Sequence, residues 1–572
     1  MSRYILAVHA GHNASALIGD PTGVIYAIQE ERLNGEKNYW GVPRLALRAC
    51  LQKVNATARD LDVVTCGMKQ VLTRYHSRED VLEAYRRQDT LSGRIRQRLL
   101  MPLLINTRPN YGQDQLREFL DSEGLAGVPV SHHDHHLSHG TTAYYGLRRD
   151  PQRPYLVLTC DGAGDGNCAT IRVMQGARIE TIAETPWESS LGSVYSWVTF
   201  LMGFVPLEHE YKLMGMAPYA SESAAKEAAA VFERYLGLDE SGLGFRRKSR
   251  ERMNDLSDRL IADMRGMRFD YICAGLQRFT EDLLVGWARK AVEKTGVRDI
   301  VAGGGVFMNV KASKRIAELP EVASFEAFPS CGDETLPFGA FYLEALRKYG
   351  NEGVRGLVHF YLGDDEREAD MLASVRESGF PHERPGEIAF AVRDLLAAGQ
   401  PVARCAGAME FGARALGNRS ILADPKNSDV VRVINQMVKK RDFWMPFAPI
   451  MLEEKQDAYI KNPKRVPSPY MMMTFDTREN FRDMIAAVHN ADLTCRAQLL
   501  RPEQNPEMAA ILRAFEAKTG RAVLLNTSFN LHGFPIVRTA KDALHVFRES
   551  GLEHMQIGPF LVHKPAPEVR SA

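Results

Sequence analysis

Two stretches of the chain repeat one pattern, and that repeat limits the possible folds more than any other feature. YILAVHAGHNASALIGDPTGVIYAIQEE (4–31) has an apolar run, a tight polar turn, a second strand-like run, a Pro-Thr-Gly turn and a third run. YLVLTCDGAGDGNCATIRVMQGARIETIAE (155–184) has the same succession, with a Gly/Asp turn and then a glycine turn between its runs. Short apolar runs bounded by such turn residues read as strands. Two of these units about 150 residues apart predict a duplicated α/β domain, each half opening with a β-meander whose first turn can face a phosphate.

A duplicated domain of that size does not use up 572 residues, which calls for two to four domains. IVAGGGVFMN (300–309) runs a strand into three glycines, where backbone N–H groups can approach a ligand closely; a plain strand-to-helix turn is the alternative. Together with the meanders it resembles the actin-like ATPase superfamily of sugar kinases and heat-shock ATPases. GNEGVRG (350–356) follows the helix-like LPFGAFYLEALRKY, and the boundary is placed there. The expected domains are 1–349 and 357–572, the second an α/β domain of its own that includes GRAVLLNTSFN (520–530).

The 72 basic and 71 acidic residues nearly cancel, so overall charge points to no polyanion as the main partner, nucleic acid included. The first residues lack the long apolar region of a signal peptide, and export is not expected. The longest apolar run, Ser193 to Leu207, is too short and too rich in Ser, Thr, Gly and Pro to cross a bilayer, and it predicts a buried helix. Eight cysteines lie scattered without CxxC spacing, which signals neither a disulfide framework nor a zinc ribbon; a reducing cytoplasm is the expected location.

SHHDHHLSHG (131–140) holds five of the sixteen histidines. GVPVS before it is strand-like, and the residues after Asp134 are helix-like with Asp134 as N-cap. Positions i and i+4 share a helix face, which pairs His135 with His139; His132 and His136 have the same spacing, but His132 precedes the cap. Two imidazoles one turn apart bind a first-row transition metal if carboxylates complete the shell. Asp161, Asp165 and Asp333 sit at apparent strand-to-turn junctions and are the candidates, Asp161 preferred over Asp165 because it directly ends an apolar strand. The other reading is a set of solvated histidines at a helix start. The glutamate of the HEXXH motif is absent, which argues against a zincin protease.

Three motifs in order, MEFGARALGNRSILADP (409–425), INQMVKKRDFWMPFAP (434–449) and LLNTSFNLHGFPIV (524–537), with GHNASA, EERLNGEKN, HHLSH and KLMGMAPY before them, carry a specific resemblance. From residue 4 to about 565 the chain resembles the O-carbamoyltransferases of antibiotic and nodulation-factor biosynthesis. The resemblance implies an N-terminal Kae1-like domain, similar to the tRNA threonylcarbamoyl-transfer protein of the actin-like superfamily, and a C-terminal YrdC-like domain that forms carbamoyl-adenylate. Two departures fall in the expected transfer cleft: Asn13 stands where Asp is common, and EHEYK (208–212) replaces the more frequent DEGK.

The implied reaction has two steps. Carbamoyl phosphate and ATP yield carbamoyl-adenylate, and the carbamoyl group then passes to a hydroxyl of a small-molecule acceptor with release of AMP. Gathering these anions calls for fixed cations, for which Arg414, Arg419, Lys439, Lys440, Arg441 and Arg496 are the candidates, each also readable as a surface charge. Asn526, Ser528 and Asn530 alternate, so in an extended strand they face one side and suit a nucleotide; a β-turn is the alternative. Magnesium is expected with ATP. In the transfer domain His12 is the candidate base, since imidazole titrates near neutrality, with a structural histidine as the other reading. Lys37 and Lys212 are further cleft candidates, and Gly304, Gly305 and Asn309 are expected to hold the nucleotide. For the metal held by His135, His139, Asp161 and Asp333 the resemblance suggests iron(II), while the ligand set also accepts zinc or manganese. Two rivals remain: a tRNA threonylcarbamoyl-transfer enzyme, and an actin-like ATP-dependent binding module without transfer chemistry.

Overall fold

The meander pattern of the sequence becomes two five-stranded sheets of one design. In the computed structural model, which describes residues 4–71, 77–88, 111–147, 149–439 and 442–565, the first sheet consists of β1 (Tyr4–His9), β2 (Ser15–Asp20), β3 (Gly23–Gln29), β4 (Leu61–Cys66) and β5 (Val130–His132). Helix α1 (His135–Gly146) leads into the second: β6 (Tyr155–Gly164), β7 (Asn167–Gln175), β8 (Arg178–Pro186), β9 (Asp299–Gly303) and β10 (Ser324–Ala327). The orders are β3-β2-β1-β4-β5 and β8-β7-β6-β9-β10. In each the opening meander is antiparallel, and the two later strands add in parallel to the first. The duplication read from the sequence is therefore present strand for strand. Both first strands are buried on both faces, which is why YILAVH and YLVLTC read as nearly unbroken apolar runs.

The chain divides into two compact units, Met1–Glu31 with Asn38–Leu357, and Arg32–Lys37 with Val358–Ala572. The first holds both five-stranded sheets. Its helix α2 (Leu336–Tyr349) lies against α1, with the backbones so close that a Cβ on Gly339 would sit 1.9 Å from the Ser138 carbonyl oxygen. Of the apolar run predicted as a buried helix, residues 193–201 lie in the helix Leu191–Leu201, whereas 202–207 form turns. Among the described residues, no helix is long and apolar enough to cross a membrane.

Glu344 on α2 is buried and receives hydrogen bonds from His133 (3.1 Å) and twice from Arg347 (2.7 and 2.9 Å). Burial pushes its carboxyl upward, but the hydrogen bonds from His133, Ser131 and Arg347 outweigh burial and hold it at about 2, against an ordinary 4.5. A depressed carboxyl stabilises the fold fully above its unfolded value and loses that contribution as pH falls through its folded value. Glu344→Gln is thus expected to lower the melting temperature at pH 7, and the gap from the parent to narrow between pH 4.5 and the lowest pH at which both still melt. Thermal melts across that range check it; a gap that widens with acid contradicts it.

The second unit is built on an eight-stranded mixed sheet in the order His382–Glu383, Phe560–His563, His554–Ile557, Val402–Cys405, Arg419–Ala423, Val523–Ser528, Ala448–Leu452, Gln498–Leu500. Successive residues of a strand face opposite sides. Ile421 and Leu525 pack with Phe547 of helix Ala540–Glu549, whereas Leu422 and Leu524 pack with Leu512 of helix Pro506–Thr519. Helices thus cover both faces. The hexapeptide Arg32–Lys37 belongs to this unit through buried Arg32, whose guanidinium donates to the Gly412 carbonyl at 2.7 Å. Strand Val523–Ser528 contains Asn526 and Ser528 but ends before Asn530, so the three do not share one strand face.

Candidate functional site

Asp134 caps α1, its carboxylate accepting from the Leu137 amide at 2.9 Å. This start places His135 and His139 on one face, at 1% and 0% exposure. Asp161 lies where the regular β6–β7 pairing breaks after Cys160, and Asp333 opens the helical turn that leads into α2. His139 Nε2 is 3.2 Å from Asp161 Oδ2 and 3.4 Å from Asp333 Oδ1; for His135 Nε2 the distances are 4.0 and 3.8 Å. The four ligand atoms all lie within 4.8 Å of one another.

These residues fit a metal ion. Tetrahedral coordination with bonds of about 2.1 Å separates ligand atoms by about 3.4 Å, close to the spacing found. All four ring nitrogens of His135 and His139, and Asp333 Oδ1, are buried without an aligned hydrogen bond. Polar atoms are rarely left in that state unless something else satisfies them. Burial alone would lower the His139 imidazole, but Asp161 and Asp333 outweigh it and raise it to about 9. Burial likewise opposes ionisation of Asp333, yet the surrounding histidines, His135 first, hold its carboxyl well below the ordinary range. The pocket therefore favours a cation.

The glycine triplet serves this cluster. Gly304, at φ 93°, lies against the strand carrying Asp161, and a Cβ there would meet the Cys160 oxygen at 2.3 Å. The Gly305 amide donates to Asp161 Oδ2 at 2.9 Å, and the Gly162 amide donates to Oδ1 at 2.5 Å. Asn309 caps the helix Val310–Ala317 and exchanges amide hydrogen bonds with Gln277 at 2.9 and 3.0 Å, so its side chain is engaged within the protein. Asp165 stands outside the cluster: its carboxylate accepts backbone amides instead. His136 turns to Thr159 Oγ1 (3.0 Å) and His132 to the Met68 carbonyl (3.3 Å).

His12 forms a short antiparallel bridge with Trp40, the two rings 5.4 Å apart. Burial lowers its imidazole, against the opposing pull of Asp333 and Asp161. His9 is a buried neighbour that sequence reasoning missed. Its Nε2 donates to the His12 carbonyl at 2.9 Å, and burial takes its imidazole down to about 4. A histidine closing an otherwise apolar strand was the only local signal for it. Lys212, on helix Glu210–Met216, has its ammonium 5.1 Å from the centre of the Phe204 ring. In the same segment Glu208 pairs with Arg78 at 3.2 Å, and half-buried Glu210 accepts from the Leu207 amide and Ser196. Lys37 is exposed and belongs to the second unit.

In the second unit a carboxylate that sequence reasoning missed shapes the arginine loop. Buried Glu410 accepts the amides of Leu416 (2.7 Å), Asn418 (3.1 Å) and Arg419 (3.1 Å) through one oxygen. Arg419 is fully buried and donates to the carbonyls of Arg538, Ala406, Gly407, Asn418 and Asp364. The guanidinium thus faces the protein's own carbonyls, where the sequence reading expected an anionic ligand. Arg414 and Arg496 are half-buried. Asn526 donates to the Ala415 carbonyl (3.0 Å) and Gln498 (2.8 Å), tying the strand to that loop. Ser528 donates to Asn530 at 2.7 Å, and Asn530 donates to Leu531 and Phe534 carbonyls, a turn rather than a strand end. Lys439 ends the helical turn Asn435–Lys439, while Lys440 and Arg441 lie outside the described residues.

The family profile Carbamoyltransferase N-terminus matches residues 4–341, and Carbamoyltransferase C-terminus matches 393–564. Nodulation protein NolNO of Sinorhizobium fredii is 29% identical over 97% of this chain and 79% of its own. Nodulation protein NolO of Bradyrhizobium diazoefficiens is 30% identical over 75% of this chain and 79% of its own. Among solved structures, full-length HypF in its phosphate- and nucleotide-bound form is similar at 17% identity and a TM-score of 0.32, covering 61% of this chain and 56% of that one.

Proposed function

The chain belongs to the carbamoyltransferase family, and from that premise we propose that it makes carbamoyl-adenylate from carbamoyl phosphate and ATP and passes the carbamoyl group to a hydroxyl of a small-molecule acceptor. The observation that supports this most is the convergence of buried His135 and His139 with Asp161 and Asp333, whose charges also act on His12. The first step consumes carbamoyl phosphate, ATP and water and releases phosphate and pyrophosphate. In the second, the acceptor oxygen bonds to the carbamoyl carbon, the bond to the AMP phosphate oxygen breaks, and the hydroxyl proton leaves to a base.

The second unit, as a YrdC-like domain, is the proposed place of the first step. Arg414, Arg496 and the basic stretch Lys439, Lys440 and Arg441 are its anion contacts, with Mg²⁺ accompanying ATP. Arg419, Glu410 and Asn526 act there by holding the loop that carries Arg414. The first unit, as a Kae1-like domain, is the proposed place of transfer. His12 takes the acceptor's proton, since burial keeps its imidazole neutral and receptive. Lys212 is assigned there to the phosphate of the adenylate. His135, His139, Asp161 and Asp333 would hold a divalent ion, iron(II) by family resemblance, which would supply Lewis-acid polarisation when bound.

Incubation with ATP, carbamoyl phosphate and Mg²⁺, followed by mass spectrometry, tests the first step. Carbamoyl-AMP and pyrophosphate are expected, each dependent on carbamoyl phosphate. ATP turnover indifferent to carbamoyl phosphate overturns the reading in favour of an ATP-driven binding module.

A further inference from the structure

His135 presents a problem that it shares with His139 but not with His136. A metal-ligating imidazole ordinarily has its second ring nitrogen held by a hydrogen bond, which fixes the ring's orientation. Both ring nitrogens of His135 lack one. His136, next in the chain, is anchored by Thr159. Some other device must hold His135.

The hairpin between β6 and β7 lies against it. Gly164 pairs with Asn167, leaving a two-residue turn of Asp165 and Gly166, with φ values of 50° and 94°. Two positive φ angles are the mark of the tight hairpin turn that Asp-Gly favours. The turn aims the Asp165 carboxylate at the start of α1. Oδ2 accepts the His135 amide at 2.8 Å and the Lys69 amide at 2.9 Å; Oδ1 accepts the Gln70 amide at 2.7 Å and the Lys69 amide at 3.1 Å. One carboxylate thus joins the segment after β4, the β6–β7 hairpin and the first residue of α1. Beside it, Gly164 supplies a slot: a Cβ there would lie 2.1 Å from His135 Cγ, 2.2 Å from Cδ2 and 2.5 Å from Nδ1. Gly164 does not have a positive φ, so it is space rather than backbone freedom that requires glycine here.

We propose that the Gly164-Asp165 turn positions His135 for metal ligation, the Asp165 carboxylate clamping its backbone and the Gly164 slot orienting its ring. Neither residue touches the metal. The inference rests on the reading of the cluster as a metal site.

The test is Co²⁺ titration of the metal-stripped full chain, followed by its visible ligand-field bands, with melting of the stripped proteins in parallel. The parent is expected to take up one equivalent, and His135→Ala to lose it. Asp165→Gly keeps a residue at ease with positive φ and removes only the carboxylate; its Co²⁺ affinity is expected to fall about 10- to 100-fold, the range for lost outer-sphere support. Asp165→Asn, which tolerates the same φ and retains one acceptor oxygen, is expected to recover part of that loss. Gly164→Ala is expected to displace the ring and shift the bands. Parent-like affinity and bands in Asp165→Gly and Gly164→Ala overturn the positioning role while the metal reading stands. A fall in affinity matched by an equal loss of melting temperature, and not recovered by Asn, overturns it in favour of a plain structural tie. If Gly164→Ala does not fold, the two Asp165 variants decide. No uptake by the parent overturns the metal reading first, and this inference with it.

Discussion

His139→Ala is expected to bind no stoichiometric divalent metal and to transfer carbamoyl groups about 10³-fold more slowly than the parent, a loss of about 4 kcal/mol in transition-state stabilisation. Of the four cluster residues His139 is the most buried, and it makes the two shortest contacts, to Asp161 and Asp333. Its removal leaves Asp161 and Asp333 with His135 as the one remaining histidine of the proposed ligand set, at 4.0 and 3.8 Å. Pyrophosphate release dependent on carbamoyl phosphate is expected to survive, because it is assigned to the second unit. Metal analysis of the purified variant, together with separate assays of pyrophosphate and of transfer, gives the result. Full metal occupancy, or equal loss of both half-reactions, contradicts the proposed division of labour.

Arg419→Leu is expected to damage the fold rather than the chemistry. Five carbonyls take hydrogen bonds from this guanidinium in a position without solvent. Each buried acceptor stripped of its donor costs about 1–3 kcal/mol, and several fail together, so a loss of about 3–5 kcal/mol or more is expected. Arg414→Ala is the contrast: a half-buried residue whose removal is expected to cost less stability than Arg419→Leu while weakening ATP use. Urea or thermal unfolding, with ATP titration of both variants, separates the two roles. If Arg419→Leu unfolds like the parent and loses only nucleotide affinity, Arg419 belongs among the anion contacts after all.

The sheets were legible because their signals are local. Apolar runs, Asp-Gly and Pro-Thr-Gly turns lie within a few residues of one another, and the same signals recur in 155–184. Asp134 and the i, i+4 histidines were legible for the same reason. Asp161 is set apart from Asp165 by ending the apolar run directly, whereas the break in pairing after Cys160 that turns it toward the histidines is visible only in the fold. Arg419 and Arg414 stand five residues apart in one motif and look alike as charges. Only the folded loop shows that one is enclosed by carbonyls. Glu410 escaped notice because a carboxylate accepting amides from residues six to nine positions later has no signature in composition or spacing.

The hexapeptide Arg32–Lys37 bears on how this protein can be dissected. A gene fragment beginning at residue 358 encodes every strand of the eight-stranded sheet yet lacks the guanidinium that meets the Gly412 carbonyl. Such a fragment is an incomplete protein, whatever its length suggests. Separate study of the second unit calls for a circularly permuted gene, or for the hexapeptide added as a synthetic peptide.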